Sequence, residues 1–135
     1  MTEITIPATI TDISYAFEKK TKLKTVYFEE GSQLRYIGDH AFYQCGNLEK
    51  IVLPNDVNTI GGSAFYECKK LKEINVPSNL KGIGSDAFYY CSELMQFEMP
   101  EGITYIDSWA FSNCKKITSI TIPESVTSIG GSAFS

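Results

Sequence analysis

The stretch Phe65–Ala87, FYECKKLKEINVPSNLKGIGSDA, is one turn of a repeat. The pair Ala64–Phe65 that opens it returns as Ala87–Phe88, 23 residues on, and again as Ala110–Phe111 and Ala133–Phe134. Upstream it stands at Ala41–Phe42 and Ala16–Phe17. Self-similarity at a period of this size is the mark of a solenoid, in which each unit contacts only its neighbours.

Aligned on the phenylalanines, the sixth residue is Leu23, Leu48, Leu71, Leu94 or Ile117, and the ninth Val26, Ile51, Ile74, Phe97 or Ile120. The eleventh is Phe28, Leu53, Val76, Met99 or Ile122. Apolar positions two apart predict short strands over 50–53, 73–76, 96–99 and 119–122. Pro54, Pro77, Pro100 and Pro123 follow, each lacking the donor that would extend a ladder. An Ile-Gly corner comes next at Ile37–Gly38, Ile60–Gly61, Ile83–Gly84 and Ile129–Gly130, with Asp107 in the glycine's place once. From that corner to the cysteine the chain is too short for an autonomous helix, so one or two helical or 3-10 turns are expected there. Met1 to Ile13 reads as part of a further turn, since ITIP at 4–7 duplicates ITIP at 120–123. Glu29–Gln33 replaces the proline segment and is expected to bulge outward, because Leu34 and Ile37 resume the phase.

A short strand cannot cover its own apolar face. Stacked copies pair equivalent strands about 4.8 Å apart, and they set Phe17, Phe42, Phe65, Phe88, Phe111 and Phe134 in one internal ladder. Cys45, Cys68, Cys91 and Cys114 form a second, always three residues after the phenylalanine. Parallel Cβ vectors in such a stack leave the Cβ atoms near 4.8 Å, not the ~3.8 Å a disulfide needs. Sulfurs in a line do not surround a zinc ion either. Buried free thiols filling small apolar gaps are the expectation.

The string AFYECKKLKEINVPSNLKGIG at 64–84 resembles the BspA-type (Treponema-type) leucine-rich repeat, over nearly the whole chain from Ile4 to Phe134. Lys20 at the first cysteine position, the Glu29–Gln33 insertion and Asp107 depart from the pattern. The expected fold is therefore an α/β solenoid. It is a right-handed leucine-rich-repeat-like coil with a parallel concave β-sheet and short helical or 3-10 turns outside, a single domain over 1–135 of about five to six turns. Related proteins of this kind look like bacterial or protist surface proteins, some adhesins toward host matrix proteins or other cells. The resemblance thus implies a cell-surface or secreted location. The N-terminal MTEITIPATI has no signal-peptide pattern, and the cytoplasm stays open.

No catalytic, cofactor-binding or metal site is expected: His40 is the only histidine, without an aligned carboxylate, and no phosphate loop or nucleophile elbow occurs. A net charge of -4 argues against a nucleic-acid partner, although Lys19–Lys20, Lys69–Lys70 and Lys115–Lys116 fall near one repeat phase. No apolar run reaches the ~20 residues that would insert in a membrane. The candidate binding surface is the outward row of the strands: Thr25, Tyr27, Lys50, Val52, Glu73, Asn75, Gln96, Glu98, Ser119 and Thr121. A second, convex or edge row is Tyr43, Tyr66, Tyr89 and Tyr90. A protein ligand is the partner that such rows suit. The alternative is a structural repeat that self-associates head to tail, since neither end carries an evident capping turn.

Overall fold

The computed structural model describes residues 2–135, and Met1 lies outside the described residues. The coil is built from three ladders running side by side. The first is a four-stranded parallel sheet of β1 (Glu3–Ile6), β2 (Thr25–Phe28), β4 (Lys50–Ile51) and β6 (Glu73–Ile74), in that order. The second is a five-stranded parallel sheet of β3 (Tyr36–Ile37), β5 (Thr59–Ile60), β7 (Gly82–Ile83), β8 (Tyr105–Ile106) and β9 (Ser128–Ile129). Register is one repeat per strand: Val26 lies beside Ile51 and Ile51 beside Ile74, while Ile60 lies beside Ile83 and Ile83 beside Ile106. The two residues that end on each corner isoleucine are thus strands that the sequence pattern did not mark, and the glycine or Asp107 of the corner follows each one.

The third ladder is the Ala-Phe arch, and it corrects the expectation of helical or 3-10 turns: no helix is found among the described residues. Each arch contains β-turns instead. One is closed by Ala41 N–H to the Gly38 carbonyl at 3.2 Å, the next by Cys45 N–H to the Phe42 carbonyl at 3.1 Å. The third residue of each, His40 and Gln44, has φ near +56°, as a type II turn requires. The same pair of left-handed positions recurs at Ser63 and Glu67, Asp86 and Tyr90, and Trp109 and Asn113. The physical reason is the direction of the N–H groups. A helix returns them to its own carbonyls. In the arch, His40, Phe42 and Gln44 donate to the carbonyls of Gly62, Ala64 and Tyr66 in the next turn, at 3.0, 2.8 and 2.7 Å. Binding the neighbour offsets the roughly 1–2 kcal/mol that a left-handed residue costs.

The core lies between the ladders. Successive phenylalanine rings from Phe17 to Phe134 stack nearly parallel, with centroids 5.2–5.6 Å apart. The cysteines are free and buried beside them. They do more than fill space: each thiol donates to the phenylalanine carbonyl of the preceding turn, Cys68 to Phe42 at 3.1 Å and Cys91 to Phe65 at 3.2 Å.

The first sheet departs from expectation. β4 and β6 are two residues long, because the Asn75 side chain captures the backbone of Leu53: its Oδ1 accepts from Leu53 N–H at 2.6 Å and its Nδ2 donates to the Leu53 carbonyl at 2.9 Å. The strands expected at 96–99 and 119–122 are not formed. Phe97, which stands where other turns carry Val or Ile, wedges its ring against Phe88 at 5.2 Å and Phe111 at 5.0 Å, tilted by about 60°. No backbone hydrogen bond joins 73–76 to 96–99, or 96–99 to 119–122, among the described residues. The insertion behaves as expected. Gly31 turns it at φ +86°, and Leu34 and Ile37 return to the core.

Candidate functional site

Period-two alternation in the first sheet sends Val26 and Ile51 into the core and the residues beside them outward. Parallel register then sets the outward residues in files. Thr25 lies beside Lys50 and Lys50 beside Glu73, with Lys50 Nζ 3.8 Å from Glu73 Oε2 and 6.0 Å from the centre of the Tyr27 ring. Thr25, Tyr27 and Lys50 are half-buried, whereas Val52, Glu73, Asn75, Gln96, Glu98, Ser119 and Thr121 are exposed. β1 extends both files with Glu3 beside Thr25 and Thr5 beside Tyr27. The duplicated ITIP segment was the sequence signal for that extension.

Asn75 belongs to the row by position, but its carboxamide is engaged with Leu53. Beyond it the surface opens. A cleft of about 450 Å³ runs between Ile74–Ser78 and Gln96–Pro100, and one of about 480 Å³ between Met95–Met99 and Thr118–Thr121. Inward residues on their flanks are less covered than elsewhere: Ile74, Val76, Met99 and Ile120 are half-buried and Ile122 is exposed. Met95 stands 65% exposed at the mouth, unmarked by any periodicity in the sequence.

The tyrosine row lies on the arch. Tyr43, Tyr66 and Tyr89 stack at 4.8 Å per step, so their faces cover one another and their edges meet solvent. Burial and the nearby Glu67 raise the Tyr66 phenol. Tyr90 leaves the stack, tilted 56° to Tyr89, and carries Lys69 and Lys115 Nζ within 5.8 and 5.5 Å of its ring centre. One sequence expectation needs correction here. His40 has a carboxylate after all, Glu18 Oε2 at 2.9 Å from Nδ1, and it is half-buried between Tyr15 and Tyr43 at 4.9 and 4.5 Å. A spacing of one turn brings Glu18 alongside. Of the paired lysines, Lys69 meets Glu67 at 3.4 Å and Lys116 meets Glu93 at 3.0 Å.

The thiols are poor nucleophiles in this setting. Desolvation pushes Cys45 up to about 11 and Cys114 up to about 12, and it holds Cys68 and Cys91 well above the ordinary thiol range. Among the described residues no group of three or more His, Cys, Asp or Glu is placed to hold a metal ion, and no helix is long and apolar enough to cross a membrane.

With this architecture in hand, comparison with known proteins is decisive for the family. The sequence matches the BspA type leucine rich repeat region, in six copies, over residues 1–91 and 35–135. The chain belongs to the BspA-type leucine-rich-repeat family. Among solved structures, a leucine-rich repeat protein from Eubacterium ventriosum is 28% identical with a TM-score of 0.63, covering 99% of this chain and 30% of its own length. The leucine rich repeat protein of T. pallidum is 25% identical with a TM-score of 0.69, covering 96% of this chain and 67% of its own. The pneumococcal vaccine antigen PcpA is 27% identical with a TM-score of 0.60, covering 93% and 40%. This BspA-type chain thus spans under half the length of two of those three proteins. No curated protein matches it.

Proposed function

We propose that residues 1–135 act as one non-enzymatic protein-interaction unit, an adhesion module that meets its ligand on the face of the first sheet. The observation that carries this reading is the contrast across the strands. Inward positions repeat and are mostly buried or half-buried, while outward ones change from turn to turn and bring an aromatic, both charges and amides to one solvent-facing surface. Membership of the BspA-type family supports a protein ligand. The neighbour PcpA is a vaccine antigen, which supports a cell-surface or secreted setting. The experiment is binding of the purified chain to a panel of immobilised extracellular-matrix proteins, with a Tyr27→Ala/Lys50→Ala double variant alongside. Losing that central pair should weaken binding at least about tenfold, the size expected for hot-spot residues, with no change in melting temperature. Equal binding by both proteins would remove this face from the assignment.

The arch favours a second reading, head-to-tail self-association. Its interturn N–H groups all point one way along the stack and its carbonyls the other. Any uncovered turn is therefore complementary to the opposite face of another copy. Light scattering from micromolar to millimolar chain concentration tests it, and a constant monomer mass across that range would remove it.

A further inference from the structure

The tyrosine file of the arch carries an inference that is independent of which face meets a ligand. We propose that Tyr43, Tyr66 and Tyr89 are a site of oxidative modification, at which a peroxide-driven one-electron oxidant joins successive turns through dityrosine bonds. The three rings stack at 4.8 Å per step, with interplanar angles of 13° and 9°. Their backbones are pinned one repeat apart: Gln44 N–H donates to the Tyr66 carbonyl and Glu67 N–H to the Tyr89 carbonyl, each at 2.7 Å. The tyrosines are half-buried, unlike Phe42, Phe65 and Phe88 beside them, which are fully buried.

Register decides which side chains can link. It denies the cysteines a disulfide, because each sulfur sits one bond from its Cβ. The reactive carbon of tyrosine, ortho to the hydroxyl, lies at the end of a long arm with two side-chain torsions. With their outer edges in solvent, neighbouring rings can turn from face-on to edge-on and bring ortho carbons together while the backbone stays in place. Each of two phenols gives up one electron and one proton. The two phenoxyl radicals pair through ortho carbons, and the hydrogens on those carbons move to the oxygens, restoring both phenols. One hydrogen peroxide takes up the two electrons and two protons and leaves as two waters. The thiols do not compete, since all four are buried and the thiolate is the form that oxidants attack. The other tyrosines lack a tyrosine one turn away. His40 separates Tyr15 from Tyr43, Tyr27 lies beside Thr5, Tyr36 beside Thr59, and Tyr105 between Gly82 and Ser128.

The test treats the full chain, at low micromolar concentration, with hydrogen peroxide and a haem peroxidase, and maps dityrosine by mass spectrometry. Lys50, Lys69 and Lys81 place the three tyrosines in different tryptic peptides. Tyr43–Tyr66 and Tyr66–Tyr89 links should outnumber links between chains by at least about a hundredfold, the ratio of a millimolar effective concentration within the stack to the chain concentration. Each link closes a loop of 23 residues and should raise the melting temperature by roughly 10 °C. Tyr66→Phe keeps a stacked ring but has no phenol to oxidise. It should fold with an unchanged circular dichroism spectrum, lose both links and gain no thermal stability from the same treatment. The absence of dityrosine, links found only between chains, or links spread equally over Tyr15, Tyr27, Tyr36 and Tyr105 would each overturn the inference. An equal thermal gain in treated Tyr66→Phe would overturn it too.

Discussion

At the scale of single residues, the glycines after isoleucine have a role different from the turn role that their position suggests. Gly84 is not in the left-handed region. A Cβ there would lie 2.6 Å from the Gly62 nitrogen and 2.7 Å from the Gly61 carbonyl carbon, so the absence of a side chain lets one turn's backbone sit on the next. Gly131 has open space around it. Gly84→Ala should therefore cost about 1–3 kcal/mol by overpacking, whereas Gly131→Ala should be neutral or stabilise by about 0.4–1 kcal/mol through the unfolded chain. Urea denaturation of the two variants checks the contrast. The left-handed positions of the arch fall on His40, Gln44, Ser63 and Glu67, among others, none of them glycine. No composition signal marked them. Asn tolerates that backbone and β-branched residues do not, so Glu67→Asn should be close to neutral and Glu67→Val should cost about 1–2 kcal/mol, read by the same denaturation.

At the scale of elements, the phenylalanine stack and the arch ladder reinforce each other. Phe88 is fully buried, with Phe65 and Phe111 on its two faces and Phe97 at its side. Phe134 is 40% exposed and stacks on Phe111 alone. Phe88→Ala should cost about 3–5 kcal/mol, and Phe134→Ala much less. Equal losses in thermal denaturation would contradict a stack of nearest-neighbour contacts. The first sheet is the weaker element, and its weakness is local: a bulky ring at Phe97 and a donor-free side chain at Glu98 leave the β4–β6 pairing without a successor.

At the scale of the whole molecule, the buried thiols tie stability to alkaline pH. Their folded-state values lie above the roughly 8.5 of a free thiol, about 11 for Cys45 and about 12 for Cys114. Below that ordinary value both states hold the proton, and the contribution to stability is complete. As pH rises from about 9 toward 11 and 12 the unfolded chain releases protons that the folded chain keeps, so stability falls. Urea midpoints measured from pH 8 to 10.5 should decline, and the decline should flatten in Cys68→Ala/Cys91→Ala. A flat profile in the parent chain would count against desolvated thiols.

The sequence by itself determined the period, the solenoid, the phenylalanine and cysteine ladders and the outward row, because each follows from identical residues stacking at a constant repeat. The Asn75 clamp, the Glu18–His40 pair, the left-handed arch in place of helical turns and the opened end of the first sheet were decided only by tertiary structure. Each depends on which groups of adjacent turns face one another across about 5 Å, and residues 22 or 23 apart carry no local signal of that meeting.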